Sequence, residues 1–98
     1  MLKENITKIL KEVYNNCTDE QVNKIVNIIE KYAVVVNYDK FYVAFCFKEL
    51  FQGSFRCMRN RLEVFILKQR EQDILSSIEK KDLNATILLL EELFQEII

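Results

Sequence analysis

Residues 38–55 read YDKFYVAFCFKELFQGSF, and the folding of this stretch decides the fold class. It holds seven of the chain's eleven aromatic residues (Tyr38, Phe41, Tyr42, Phe45, Phe47, Phe51 and Phe55) and the only glycine, Gly53. Large rings dominate the area that a core can bury, so the rest of the chain is expected to pack around this segment. Two readings compete. As a strand, Phe41, Val43, Phe45 and Phe47 share one face, with Tyr42, Ala44 and Cys46 on the other. That gives a hairpin at 33–36/41–46 around Asn37-Tyr38-Asp39-Lys40, within an α+β fold. As a helix capped by Asn37, the segment puts Phe47, Phe51 and Phe55 on one side and Tyr38, Phe41, Tyr42 and Phe45 mostly on the opposite one. A helix apolar all round is a buried helix. The hairpin loop lacks glycine and any primed-turn dipeptide. The run Val34, Val35, Val36 also continues the apolar face before it in helical register, so the helix is preferred.

Upstream, Leu2, Ile6, Ile9, Leu10, Val13 and Cys17 follow the three-to-four spacing of one helical face, and charged residues take the other. Thr18-Asp19-Glu20-Gln21 is a capping box: the Thr18 hydroxyl can accept from the Gln21 N–H while the Gln21 side chain reaches back to the Thr18 N–H. The helix it opens carries Val22, Ile25, Val26, Ile29, Tyr32, Ala33 and Val36 on one face. Downstream, Gly53 suits the left-handed position that ends a helix, and Ser54 suits the cap of the next. A long helix is then expected over 55–80 with two apolar stripes. Phe55, Met58, Leu62 and Phe65 form one. Cys57, Val64, Leu67, Ile74 and Ile78 form the other, about half a turn away, in heptad register with Asn60 and Glu71 at the polar interruptions. Two stripes imply two neighbours, one of which is open to a second subunit. Asp82 is placed to cap a last helix with Leu83, Ile87, Leu90, Phe94 and Ile97 on its main face.

The totals agree with helices. Ninety-eight residues with no proline and one glycine lack the turn residues that an all-β chain needs. The expected fold is therefore all-α, a small bundle of four to five helices at about 2–16, 19–35, 38–52, 55–80 and 83–97, forming a single domain over 1–98. No apolar run approaches a membrane span. The opening MLKENITK lacks the apolar region of a secretory signal, so a cytoplasmic protein is expected. Cys17, Cys46 and Cys57 show no paired spacing and read as reduced, mostly buried thiols. An excess of Lys, Asn and Ile accompanies AT-rich coding sequence and suggests a bacterial or phage source.

Catalytic chemistry finds little support. With no histidine there is no imidazole base or triad. Adjacent carboxylates such as Asp19-Glu20 and Glu91-Glu92 point in different directions on a helix and read as a cap and a solvated face. No phosphate loop or metal-ligand spacing occurs, so no cofactor and no metal are expected. The next-strongest enzyme reading, Cys57 activated by Arg56 and Arg59, is outweighed by Cys57 as a small core residue.

Charge is the informative feature. The net charge is −1, yet residues 48–70 carry six basic and two acidic side chains, residues 71–98 two basic and seven acidic, and residues 1–47 six of each. All four arginines lie between 56 and 70. The candidate partner-binding residues are Arg56, Arg59, Arg61, Lys68 and Arg70 with Phe51 and Phe55, since guanidinium forks read carboxylate or phosphate and rings supply affinity. The bland alternative is that these arginines pair internally with the acidic segment that follows. The function expected is a non-enzymatic protein–protein interaction module, a small regulator, inhibitor or immunity-type protein that binds and occludes an acidic partner protein. A homodimer is expected. A nucleic-acid-binding regulator using residues 56–70 is the alternative, weakened by the absence of overall basicity.

Overall fold

The computed structural model describes residues 1–62 and 68–97. These form six α-helices and no strand: α1 Leu2–Tyr14, α2 Asp19–Val36, α3 Lys40–Phe51, α4 Arg56–Arg61, α5 Lys68–Glu79 and α6 Leu83–Ile97. The all-α expectation holds, with six helices in place of four or five. No helix among the described residues is long and apolar enough to cross a membrane.

The hairpin expected as the alternative is absent, and local hydrogen bonding shows why. Asn37 closes α2 instead of opening α3. It takes the left-handed conformation at φ 58°, which Asn tolerates better than most side chains. The Tyr38 N–H then donates back to the Ala33 carbonyl at 3.1 Å. Asp39 starts α3, its carboxylate accepting from the Phe41 and Tyr42 amides at 3.1 and 3.3 Å. A helix stop and a helix start thus replace the two central residues of a hairpin turn. At the other end of α3, the Gly53 N–H donates to the Leu50 carbonyl at 2.9 Å and the Ser54 N–H to the Glu49 carbonyl at 3.0 Å. This double closure needs a left-handed residue, and Gly53 supplies it at φ 99°. Ser54 does not cap the next helix: Phe55 occupies the cap of α4 with no side-chain hydrogen bond.

The same stop recurs at Lys81 (φ 60°), where the Lys81 and Asp82 amides bond back to Ile78 and Ser77, each at 3.0 Å. Asp82 then caps α6 through the Ala85 amide at 3.1 Å. The capping box forms as read, with Thr18 and Gln21 bonded reciprocally at 3.1 and 2.9 Å. Gln21 goes further and donates to the Asn84 side chain at 3.0 Å, tying the start of α2 to the start of α6.

Rings form the spine of the core. Tyr14 of α1 meets Phe51 of α3 edge-on at 6.1 Å, Phe51 meets Phe47 at 6.3 Å, and Phe47 meets Tyr32 of α2 at 6.2 Å. Tyr32 in turn meets Phe94 of α6 at 6.2 Å. Four helices are joined by this one chain of ring contacts, three of them edge-on, a geometry that ring quadrupoles favour, and the last, Tyr32–Phe94, tilted. Leu10, Ile25, Ile29, Leu50, Met58, Leu62, Ile74 and Leu90 are fully buried around it.

The long helix expected over 55–80 is not continuous. α4 ends at Arg61, Leu62 is a buried bend, and α5 is described from Lys68. Phe65, Val64 and Leu67 of the two expected stripes lie outside the described residues. The described members of both stripes are buried within this chain: Phe55, Met58 and Leu62 of one, Cys57, Ile74 and Ile78 of the other. Two stripes half a turn apart cannot face one core from a straight rod. The bend at Leu62 lets Met58 and Leu62 face the core from one side of it and Ile74 and Ile78 from α5, while Cys57 is buried against α3 by its bond to Cys46.

Candidate functional site

α3 is not buried on all sides. Val43, Ala44, Cys46, Phe47, Leu50 and Phe51 face the core, while Phe41 and Phe45 face outward, 39 % and 50 % exposed. The helical period sets this division. Residues 43, 47, 50 and 51 fall on one side, and 41, 42, 45 and 49 on the other. Tyr38, just ahead of the helix, is also exposed and stacks obliquely on Tyr42 with centroids 5.5 Å apart. The Lys40 ammonium lies 5.8 Å from the Phe41 ring centre, a cation–π contact at the upper edge of this outer face. Exposed Val34 and Val35 at the end of α2 add to the apolar surface near this corner of the chain.

The lower half of this outer face forms one wall of an open groove of about 750 Å³. Tyr42, Phe45 and Glu49 of α3 line one side, and Arg56, Asn60 and Arg61 of α4 line the other. Cys57 is the remaining lining residue, and it is joined to Cys46 of α3 by a disulfide. This corrects the reading of three reduced thiols. The α3–α4 turn brings positions 46 and 57 to a Cα separation of 5.3 Å, inside the range that a disulfide spans. Sequence spacing gave no sign of it, because the pairing depends on the turn. Cys17 stays a free, half-buried thiol.

The arginine cluster is divided by the fold. Arg59 pairs with Glu71 of α5, and Arg70 pairs with Glu92 of α6 at 2.9 Å. Both are thus spent on the acidic segment that follows them, as the bland reading expected. Arg56 and Arg61 are exposed on the groove wall, and among the described residues neither lies within ion-pairing distance of a carboxylate. Lys68 is the first described residue of α5, and its side chain lies outside what the structure describes. Phe51 and Phe55 are buried at 1 % and 3 % exposure and serve as the core beneath the site. The residues that sequence reading missed are Phe45 and Tyr42. Their signal was present in the opposed aromatic faces of α3, but the expectation of complete burial hid it.

Other polar features look structural. The Ser77 and Thr86 hydroxyls share a hydrogen at 2.6 Å inside the α5–α6 pair, with Ser77 also bonded to the Ile74 carbonyl at 2.7 Å. Burial pushes the Tyr32 phenol well above the ordinary tyrosine range, and its hydroxyl has no hydrogen-bond partner among the described residues. Burial also raises Tyr14, assisted by the charge of Asp82 and opposed by the Thr86 hydroxyl. No three Cys, Asp or Glu side chains gather as a metal centre would require among the described residues. Comparison with family models, curated proteins and solved structures returns no match.

Proposed function

We propose that this protein is a non-enzymatic interaction module, a small regulator or inhibitor of the immunity type that binds another protein and occludes part of its surface. One observation carries the reading. The chain leaves a face of rings uncovered, Tyr38, Phe41 and Phe45, and Phe45 shares its groove with Arg56 and Arg61, neither of which pairs with a carboxylate among the described residues. Rings flanked by guanidinium groups are the composition from which protein-binding hot spots are built. A nucleic-acid role draws less support, because Arg59 and Arg70 are already paired and a backbone-tracking surface needs several free cations along one line. For the expected homodimer the α3 face is the better candidate, since the described members of the heptad stripe, Ile74 and Ile78, are buried inside the chain.

A photo-crosslinking residue placed at position 45, with the exposed position Lys8 of α1 as control, tests the proposal in cells. Position 45 is expected to give a discrete protein adduct that survives nuclease, and position 8 none. An adduct removed by nuclease, or equal labelling at both positions, overturns the reading.

A further inference from the structure

We infer that the groove between α3 and α4 is a seat for one amphipathic helix whose carboxylates lie along a single flank. The inference rests on the interaction-module reading and adds the shape and charge pattern of the partner.

The argument begins with the walls. Two helices joined by a short turn leave a trough, and a third helix fills such a trough by laying an apolar face into it. Here the apolar contact comes from Tyr42 and Phe45. The α3 wall of the groove runs from residue 42 to residue 49, seven positions, about 10 Å at the α-helical rise. That length matches about two turns of a docked helix. Apolar anchors repeating at three and four residues would meet the rings that recur on α3 at the same spacing.

Charge then fixes which way the helix lies. The α4 wall carries Arg56 and Arg61, one turn and a half apart, and the α3 wall carries Glu49. The two walls therefore differ in sign. A docked helix with carboxylates on both flanks would set some of them against Glu49. One with carboxylates toward α4 and a neutral or basic flank toward α3 satisfies both walls. Arg59 supplies an internal comparison: it belongs to the same cluster, but Glu71 already occupies it.

The experiment is a display selection on the whole chain. The probe is a library of peptides of about 14 residues, with apolar anchors fixed at helical spacing and both flanks randomised over Glu, Lys, Gln and Ala. Selected peptides are expected to carry Glu on one flank and Lys or neutral residues on the other. R56E/R61E and F45A should each weaken the best peptide about tenfold or more, whereas R59A should change it less than about twofold. All these positions are exposed, and circular dichroism confirms that the variants fold. Binders with neutral or basic flanks that still depend on Phe45 overturn the acidic-helix assignment and leave the interaction module standing. Binders indifferent to both F45A and R56E/R61E, or no binders at all, overturn the site as well. Sedimentation of the free protein completes the test: a dimer abolished by F45A makes a second copy the occupant, and competition by a single-stranded oligonucleotide that fades steeply with salt makes it nucleic acid. Either outcome overturns the inference.

Discussion

Phe47 and Phe45 stand two residues apart on α3, carry the same ring, and have opposite fates. Phe47 is fully buried against Tyr32 and Phe51, while Phe45 is half exposed beside Arg56 and Arg61. A two-residue step rotates a helical side chain by about 200°, so neighbouring identical residues are directed to different tasks. The inner face of α3 holds the molecule together, and the outer face is left for contact with something else. The arginines repeat the contrast at the level of charge: Arg59 and Arg70 pair with carboxylates of α5 and α6, and among the described residues Arg56 and Arg61 pair with none.

The sharpest way to break this division is to truncate both rings. Phe47→Ala should cost about 3–5 kcal/mol, since it removes a buried ring and leaves a cavity among Tyr32, Phe51 and their neighbours. Phe45→Ala should stay within about 0.5 kcal/mol of the parent. Chemical denaturation of the two variants measures the difference, and similar losses would show that the outer ring is structural after all.

The next largest effect concerns the joint between the two walls of the groove. Replacing both Cys46 and Cys57 by Ala should destabilise the oxidised protein by about 3 kcal/mol, chiefly by freeing the unfolded chain. The same variant should leave the reduced protein nearly unchanged. Denaturation with and without a dithiol reads both values. A related measurement bears on where the protein works, because disulfides are rare in reducing compartments. Rapid alkylation of freshly lysed cells, followed by mass spectrometry, reports whether positions 46 and 57 carry label or bond.

A smaller effect, of opposite sign, is expected inside the core. Tyr32→Phe removes a buried hydroxyl that has no partner among the described residues, and should raise stability by about 1 kcal/mol. It also changes the alkaline limb. The Tyr32 phenol titrates higher in the folded protein than in the unfolded chain. Below about pH 10 the phenol is neutral in both states and contributes no slope. Above that the unfolded state loses the proton first, so stability falls as pH rises. The fall should be shallower in the Phe variant, and an unchanged alkaline slope would show that Tyr32 is not its source.

The smallest effect lies at the start of α3. Asp39→Ala removes the acceptor for two amides and should cost about 1 kcal/mol. Thermal unfolding reads it directly. If the loss is absent, the stop at Asn37 alone is sufficient to define the corner between α2 and α3.

Much of the fold was legible because it is written in short-range patterns. The apolar faces of α1, α2 and α6 follow helical spacing, and the Thr18–Gln21 box and the Asp82 cap depend on neighbours three residues apart. Gly53 was readable for the same reason. What escaped was decided at longer range. Nothing in Arg61-Leu62 resembles a helix breaker, since the interruption arises from the need to turn two stripes toward one core. The Cys46–Cys57 link is a product of the α3–α4 turn. Asn37 was visible as a capping residue, but only the finished corner assigns it to the end of α2 and gives the start of α3 to Asp39. For the candidate site, the arginines were legible as a cluster, but their division into paired and unpaired members depends on where Glu71 and Glu92 arrive in space. The aromatic half was divided the wrong way: Phe51 and Phe55 went to the interior, and Phe45 emerged.

Lys81 ends α5 in the left-handed conformation, and its ammonium donates to the Val13 carbonyl at 3.0 Å while lying over the Tyr14 ring at 5.6 Å. A residue 68 positions downstream therefore completes the final turn of the first helix. During synthesis α1 emerges well before α5, yet its last turn waits for residue 81 to be released before its closing contact can form. The close of α1 is finished only when the close of α5 arrives.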